Sequence, residues 1–253
     1  MSSLLFGYST FMFSPVICLV YIAAAVLPAA WLLHYIWKND TWEKEPPELL
    51  LSLLLRSVIS VIIAVVLEVL FGYIMEAMVD YVKIQYDYAY YTRMCIGEAV
   101  MVGFVEEFAK DIVLYKRTWN DPNFNYRFDA IVYSAFVSLG FAALENIKYV
   151  FSYGLSVSLS RALLAIPGHL SFSVLFGFFY GRAKHASNQG DEKTAKMDIA
   201  IGYLTAVAAH AFYDACAMIN STPSMIVFFV FIILLYYGIS RLVRRESKTN
   251  VPV

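Results

Sequence analysis

The sequence predicts an all-α polytopic membrane protein with about seven transmembrane helices. Of its 253 residues, 60% are hydrophobic and only 15% are charged, whereas an average soluble domain carries about 25% charged residues. Apolar segments that can form a spanning helix of about 20 residues occur seven times between polar breaks. We therefore expect a single integral membrane domain over residues 1–253, without a separate soluble domain.

The predicted spans follow, in chain order, from these apolar segments. They are 13–36, 49–74, 94–115, 130–153, 159–182, 199–219 and 224–241. The first is expected to stay as an anchor, because no Lys or Arg precedes Lys38 and a cleaved signal peptide needs a basic start. The prolines and acidic residues of 43–48 suit the turn that begins the second helix. Pro167 lacks an amide proton, so a kink is expected in the fifth span just before His169.

Basic residues are distributed unequally between the two sides of these spans. The loops on one side carry 13 of them, and the loops on the other side carry 3, namely Lys83, Arg93 and Arg161. Cytoplasmic loops are enriched in Lys and Arg. We therefore expect a multi-pass protein of the cell membrane with its N-terminus outside and its C-terminus in the cytoplasm.

Net charge and cysteine content exclude several classes of partner and site. The formal net charge is −1, so no basic face for nucleic acid is expected. The three cysteines have no Cys-x-x-Cys spacing, which implies neither a disulfide framework nor a cysteine metal site. The expected partners are the lipid bilayer and other membrane proteins.

Several charged and polar residues fall inside the predicted spans. These residues are Glu106, Glu107 and Lys110 in the third span, Glu145 and Asn146 in the fourth, His169 in the fifth, and His210 and Asp214 in the sixth. Four unpaired carboxylates near the bilayer centre would cost on the order of 12 kcal/mol. At about 1.5 Å per residue, these side chains share the middle and outer part of a hydrocarbon layer about 30 Å thick. Helices 3 to 6 are therefore expected to form a core around one polar cavity.

Helical spacing predicts which of these side chains lie together. His210 and Asp214 are four residues apart and share a helix face, so the carboxylate can orient the imidazole. Glu106 and Lys110 have the same spacing, and the lysine is expected to neutralise part of the acid pair. Adjacent residues project about 100° apart on a helix. Glu106 and Glu107 are therefore expected to play different parts.

Other charged residues near the ends of spans have a simpler interpretation. Glu68 and Glu98 lie close to outer helix ends and are expected to reach the membrane interface. Arg161 is assigned to the short loop before the fifth span. None of these three residues is predicted to belong to the site.

The polar residues inside the spans form a set of motifs in a defined order. They are E-E-x-x-K at 106–110, F-x-x-x-E-N at 141–146, a histidine at 169 and H-x-x-x-D at 210–214. Together they resemble the PrsW-type intramembrane proteases, and the Lys44-Glu45-Pro46 turn is similar to a loop of that family. The resemblance covers about residues 38–215. The distantly related family of CAAX prenyl proteases and bacteriocin-processing proteases has histidines in place of E-N, so Glu145 favours PrsW.

The resemblance implies an intramembrane endopeptidase that cleaves a single-span membrane protein. Bacterial members are similar to site-1 proteases, which make the extracytoplasmic cut in an anti-sigma factor during regulated intramembrane proteolysis. An anti-sigma factor-like substrate is therefore the expected partner. The implied catalytic residues are Glu106, Glu107, His169 and His210, and the implied supporting residues are Lys110, Glu145, Asn146 and Asp214.

The chemistry of these residues is compatible with peptide hydrolysis in two versions. Hydrolysis of an amide needs an activated water, a polarised carbonyl group and a proton for the leaving amine. One carboxylate and two imidazoles are a set of ligands for catalytic zinc. Glu107, His169 and His210 provide that set with Glu106 as the base, or the two glutamates exchange roles. In a metal-free version a glutamate activates the water directly, and His169, His210 or Asn146 stabilises the oxyanion.

Two further classes of function have to be weighed against a protease. Buried acid–base chains also relay protons or ions in coupled transporters. The sequence shows neither an inverted repeat nor the paired broken helices common in transporters. A non-catalytic relative that binds membrane proteins is the other alternative, but none of the implied catalytic side chains is missing.

Overall fold

The protein folds as a bundle of long helices. The computed structural model describes residues 14–82, 88–249 and 251–253, with side chains for 14–74, 90–249 and 251–253. Residue 13 of the first predicted span and Lys83 lie outside the described residues. The described part contains no β-strand, and its seven long helices are α1 (Pro15–Asn39), α2 (Pro47–Val82), α3 (Tyr88–Thr118), α4 (Arg127–Tyr153), α5 (Ile166–Asn188), α6 (Glu192–Ile219) and α7 (Thr222–Thr249). The all-α prediction is confirmed.

Six of these helices are long and apolar enough to cross a membrane, by length and composition. The remaining helix, α3, has 31 residues but carries Glu106, Glu107 and Lys110 in its interior. These charges lower the mean hydropathy of α3. At about 1.5 Å per residue, α3 is nevertheless long enough to span a bilayer. The chain is therefore a multi-pass membrane protein.

Most helices extend beyond the predicted apolar segments by one or more polar turns. For example, α6 begins at Glu192, where the side chain of Asp191 accepts a hydrogen bond from the Thr194 amide, 3.0 Å away. The same helix ends at Ile219 and is capped by Asn220, which has a φ of 46°, and asparagine tolerates this left-handed conformation better than most residues. Hydropathy alone misses these turns because capping is done by polar residues.

The centre of the bundle is formed by α4 and α5. Helix α4 packs against α1, α2 and α5, whereas α6 packs against α5 and α3. Close approach of α4 and α5 depends on Gly181, because a Cβ atom there would lie 2.4 Å from the carbonyl oxygen of Arg127. The large aromatic side chains buried around this contact are Phe128, Tyr133, Phe172, Phe176 and Tyr180.

The chain between α4 and α5 is irregular. Gly154, with a φ of 82°, ends α4 and is followed by a 3₁₀ turn (Leu155–Val157), a single α-helical turn (Ser158–Ser160) and a π-helical turn (Arg161–Ala165). Pro167 lies in the first turn of α5, which is regular from residue 166. The irregularity therefore precedes the position expected from Pro167, because the missing amide alters the hydrogen bonding of the preceding turn.

Candidate functional site in the helix bundle

A polar cavity of about 640 Å³ lies among the helices. Its walls come from α2 to α7 and from the irregular segment 155–165. The charged and imidazole-bearing residues that line it are Glu68, Glu98, Glu106, Glu145, Lys148, Arg161, His169, His210 and Asp214. The structure thus brings together acid–base residues from five of the predicted spans, the second to the sixth. Glu68 and Glu98, which we expected at the membrane interface, also line this cavity.

Glu107 lies behind the cavity wall and is 1% exposed. Its Oε1 atom accepts a hydrogen bond from Lys110 Nζ, 2.6 Å away, and lies 2.7 Å from Nδ1 of His210. The lysine cation stabilises the ionised carboxylate, and an ionised carboxylate can only accept hydrogen bonds. Nδ1 of His210 therefore carries the proton, which leaves Nε2 of this ring to face the cavity.

Glu106 occupies a different position from its neighbour. It lines the cavity and is 6% exposed, and its buried Oε2 atom has no hydrogen-bond partner among the described residues. The basic atoms near Oε2 are Lys110 Nζ, at 3.8 Å, and His210 Nε2, at 3.9 Å. Of the two adjacent glutamates, Glu106 is thus the one with an oxygen available to water, substrate or a metal.

The two histidines of the cavity are held by neighbouring side chains. The His210 ring stacks on Phe172 with 4.7 Å between ring centroids, and its Nε2 atom lies 3.4 Å from Oδ2 of Asp214. The His169 ring lies 5.3 Å from the His210 ring. Its Nε2 atom is 2.9 Å from Glu145 Oε2 and its Nδ1 atom is 3.5 Å from Lys110 Nζ. Both imidazoles are therefore oriented by carboxylates.

Arg161 completes this network, although the sequence assigned it to an outer loop. Its Nη2 atom lies 3.0 Å from Glu145 Oε2, and its Nε atom donates a 2.8 Å hydrogen bond to Asn146 Oδ1. Asn146 in turn donates to the carbonyl oxygen of Ala25 in α1, 2.9 Å away. The signal that would have found Arg161 is a lone basic residue in an otherwise apolar and neutral stretch, next to the Glu145-Asn146 pair.

The residues of the cavity fit a metal ion. Glu106, His169 and His210 each offer one ligand atom, and these atoms lie within 4.8 Å of one another. A carboxylate with two imidazoles is a ligand set for catalytic zinc, and the unpartnered Oε2 of Glu106 fits that role. Glu107, the ligand named from the sequence, contacts Lys110 and His210 Nδ1 instead. The geometry favours Glu106 for this position, and the ligand set with Glu107 stays a prediction.

Comparison with known proteins places the chain in a family. A family profile described as PrsW family intramembrane metalloprotease matches residues 45–239. Protease PrsW of Geobacillus kaustophilus is 33% identical over 194 residues, which cover 76% of this chain and 77% of that protein. Protease PrsW of Bacillus subtilis is 28% identical over 239 residues, which cover 92% and 98% of the two chains.

The region matched by the family profile includes every residue that lines the cavity. No solved structure matches the chain. The family profile covers well over half of the chain, and its relatives are peptidases by name. The chain therefore belongs to the PrsW family of intramembrane proteases, and it is a peptidase.

Proposed function

We propose that this protease hydrolyses a peptide bond of a single-span membrane protein in the polar cavity. Glu106 is the carboxylate that binds the attacking water and accepts its proton. The observation that carries the proposal is the unpartnered Oε2 atom of Glu106, which lies 3.9 Å from His210 Nε2 in a cavity that also contains His169. A carboxylate base beside two imidazoles supplies both proton acceptance and stabilisation of the oxyanion.

Each neighbouring residue has a defined part in this proposal. Glu107 and Lys110 form a buried ion pair that fixes the tautomer of His210, so that Nε2 faces the substrate. His210 and His169 line the same cavity, and His210 Nε2 can donate to the developing oxyanion or to the leaving amine once it has taken up a proton, because only the imidazolium donates from both ring nitrogens. Asp214, 3.4 Å from His210 Nε2, is a second carboxylate that can take up a proton.

A zinc version of the site uses the same residues. Glu106, His169 and His210 would hold the ion. The ion would supply Lewis-acid polarisation of the carbonyl and would lower the pKa of water. In this version Glu106 is a ligand, so Asp214 takes over as the base. Glu107 keeps its contact with His210 Nδ1 and orients the ring, as carboxylates near metal-binding histidines commonly do.

The position of the cavity supports cleavage near the outer face of the membrane. The cavity is lined by Glu98 near the start of α3, by Arg161, and by Asn220 between α6 and α7. These residues belong to the side of the membrane whose loops contain only 3 basic residues. Cytoplasmic loops are enriched in Lys and Arg. The side with few basic residues is therefore taken as the extracytoplasmic side, which also places the N-terminus outside. The proposed role is site-1 cleavage of an anti-sigma factor or a similar single-span protein.

The experiment compares wild type with Glu106→Gln, Glu107→Gln and His210→Ala in liposomes that contain a single-span anti-sigma factor. Glu48→Gln is the matched control, because Glu48 is exposed in the first turn of α2. We expect Glu106→Gln to lower the cleavage rate by about 10²- to 10⁴-fold in a protein that is still folded, which thermal unfolding checks. Cleavage by folded Glu106→Gln at the wild-type rate would remove Glu106 from the mechanism. A wild type that cuts no membrane protein, but carries a proton flux lost in the same variants, would favour the transporter alternative.

A further inference from the structure

Arg161 is the basic residue that reaches the cavity from the irregular segment between α4 and α5. Its side chain is 14% exposed, which is low for a residue assigned to a loop. The guanidinium carbon lies 3.8 Å from the centroid of the Tyr149 ring, a distance at which cation and aromatic face attract each other. Stacking on one side and polar contacts on the other hold the guanidinium group in a single plane.

The polar contacts of Arg161 lead to one of the cavity histidines. Oε2 of Glu145 is shared, because it lies 3.0 Å from Arg161 Nη2 and 2.9 Å from His169 Nε2. The second contact of Arg161, with Asn146 Oδ1, connects it through Asn146 to the backbone of α1. The orientation of His169 thus depends on a carboxylate whose own position is set by Arg161.

The local backbone explains why this arginine reaches so deep. Arg161 is the first residue of the π-helical turn that ends the irregular segment just before α5, and π-helical turns are frequent at functional sites. Arg161 and His169 are eight residues apart, so in one regular α-helix they would lie about 80° apart around its axis. In the structure, Glu145 of α4 bridges the two side chains.

We propose that Arg161 is a positioning residue for catalysis, which sets the Glu145 carboxylate against His169 and thereby fixes the imidazole in the cavity. Arg161 itself does not contact the reacting atoms. The inference rests on the proposed function, because it assigns His169 to the same hydrolytic site. It adds a residue outside the motifs that carry the family resemblance.

The test measures kcat and KM of Arg161→Gln and Arg161→Lys for a single-span substrate. Arg161→Gln should lower kcat by about 10- to 100-fold, as removal of such orienting partners commonly does, while KM stays within about twofold. Arg161→Lys keeps the positive charge but loses the planar guanidinium group, so its kcat should lie between those of wild type and Arg161→Gln. Arg93→Gln is the matched control, because Arg93 is an exposed arginine on the same side of the membrane, and it should keep the wild-type kcat.

A double-mutant cycle with Glu145→Gln separates positioning from a purely structural role. The Glu145→Gln variant keeps a hydrogen-bonding side chain beside His169 but has no charge for Arg161 to hold. Adding Arg161→Gln to this variant should therefore lower kcat less than about threefold, so the two effects do not add. The thermal unfolding of every variant is measured alongside, and Arg161→Lys carries the test if Arg161→Gln does not fold.

The outcomes distinguish this inference from the proposed function. Wild-type kcat in folded Arg161→Gln or Arg161→Lys, together with loss of activity in Glu106→Gln, would overturn the role of Arg161 and leave the proposed function intact. Fully additive effects of Arg161→Gln and Glu145→Gln would also overturn it. A wild type that does not cleave would overturn both proposals.

Discussion

Two of the regions that contain buried carboxylates stabilise them in different ways. Around the two cavity histidines, four carboxylates lie within 4 Å of a lysine, arginine or histidine: Lys110 for Glu106 and Glu107, Arg161 for Glu145, and His210 for Asp214. The second region lies where α1 leads into α2 and contains Asp40, Glu45 and Asp129. Among the described residues, none of its carboxylates takes part in an ion pair.

In the second region, Glu45 and Asp129 accept hydrogen bonds from neutral donors. Glu45 Oε2 accepts a 2.6 Å hydrogen bond from the Tyr133 hydroxyl, and Asp129 Oδ2 accepts one from the Tyr126 amide. Lys44 donates to backbone carbonyl oxygens at the end of α1 instead of to a carboxylate. Burial and the neighbouring Asp129 carboxylate raise the pKa of Glu45, and burial raises the pKa of Asp40 to about 6.

The comparison separates charges that are kept for chemistry from carboxyl groups that serve packing. Ion pairs are costly to bury because desolvation offsets most of their attraction, so a cavity that keeps several of them is expected to need ionised groups. A carboxyl group that only joins helices can take up a proton instead. The predictions below test this distinction, beginning with the largest expected effect.

Removal of metal should lower the cleavage rate through the cavity residues and should not involve the region around Glu45. In support of the zinc version, we expect verified metal removal to lower the cleavage rate by about 100-fold or more, since a bound ion contributes several kcal/mol to the transition state. Zinc should restore the rate, and metal analysis should find less zinc in Glu106→Gln but normal zinc in Glu45→Gln. Full activity after verified removal would exclude the zinc version and leave Glu106 as the direct base.

Lys110→Met should strongly destabilise the fold. Lys110 is 3% exposed and contacts both Glu106 and Glu107, and removing one partner of a buried ion pair costs about 3 to 5 kcal/mol. Thermal and denaturant unfolding in detergent measure the loss, and Glu107→Gln in the same chain should recover part of it. The exposed Lys193 provides the control, because Lys193→Met should change stability by less than about 0.5 kcal/mol. Equal stabilities of the two lysine variants would contradict the ion-pair interpretation.

The pH dependence of stability should come in part from Glu45. A carboxyl group with a raised pKa in the folded state holds a proton that the unfolded chain releases, so its contribution is present at low pH and is lost as the pH rises. We therefore expect the unfolding temperature of wild type to fall above the ordinary pKa range of glutamate. Glu45→Gln should show a smaller fall with nearly unchanged cleavage activity. Parallel curves for wild type and Glu45→Gln, with Glu48→Gln as the exposed control, would show that folding does not raise the pKa of Glu45.

The all-α membrane architecture was predictable because it rests on composition and on the length of apolar segments, both of which are local properties of the chain. The pairs Glu106–Lys110 and His210–Asp214 were predictable for a related reason, since the rise and turn of a helix place residues four apart on one face. In the structure, Lys110 Nζ lies 3.8 Å from Glu106 Oε2, and His210 Nε2 lies 3.4 Å from Asp214 Oδ2. The helix ends were harder to predict from the sequence, because polar capping turns extend most helices past their apolar segments.

The amino-acid sequence by itself determined that acid–base residues must gather inside the bundle, because ionised groups cannot remain in contact with lipid at this cost. Only the tertiary structure decided which atoms meet. The rotation of α3 turns Glu106 into the cavity and Glu107 toward His210. The path of residues 155–165 brings Arg161 to Glu145. Such contacts depend on how helices are rotated and packed against each other, and residue spacing within one helix carries no information about that.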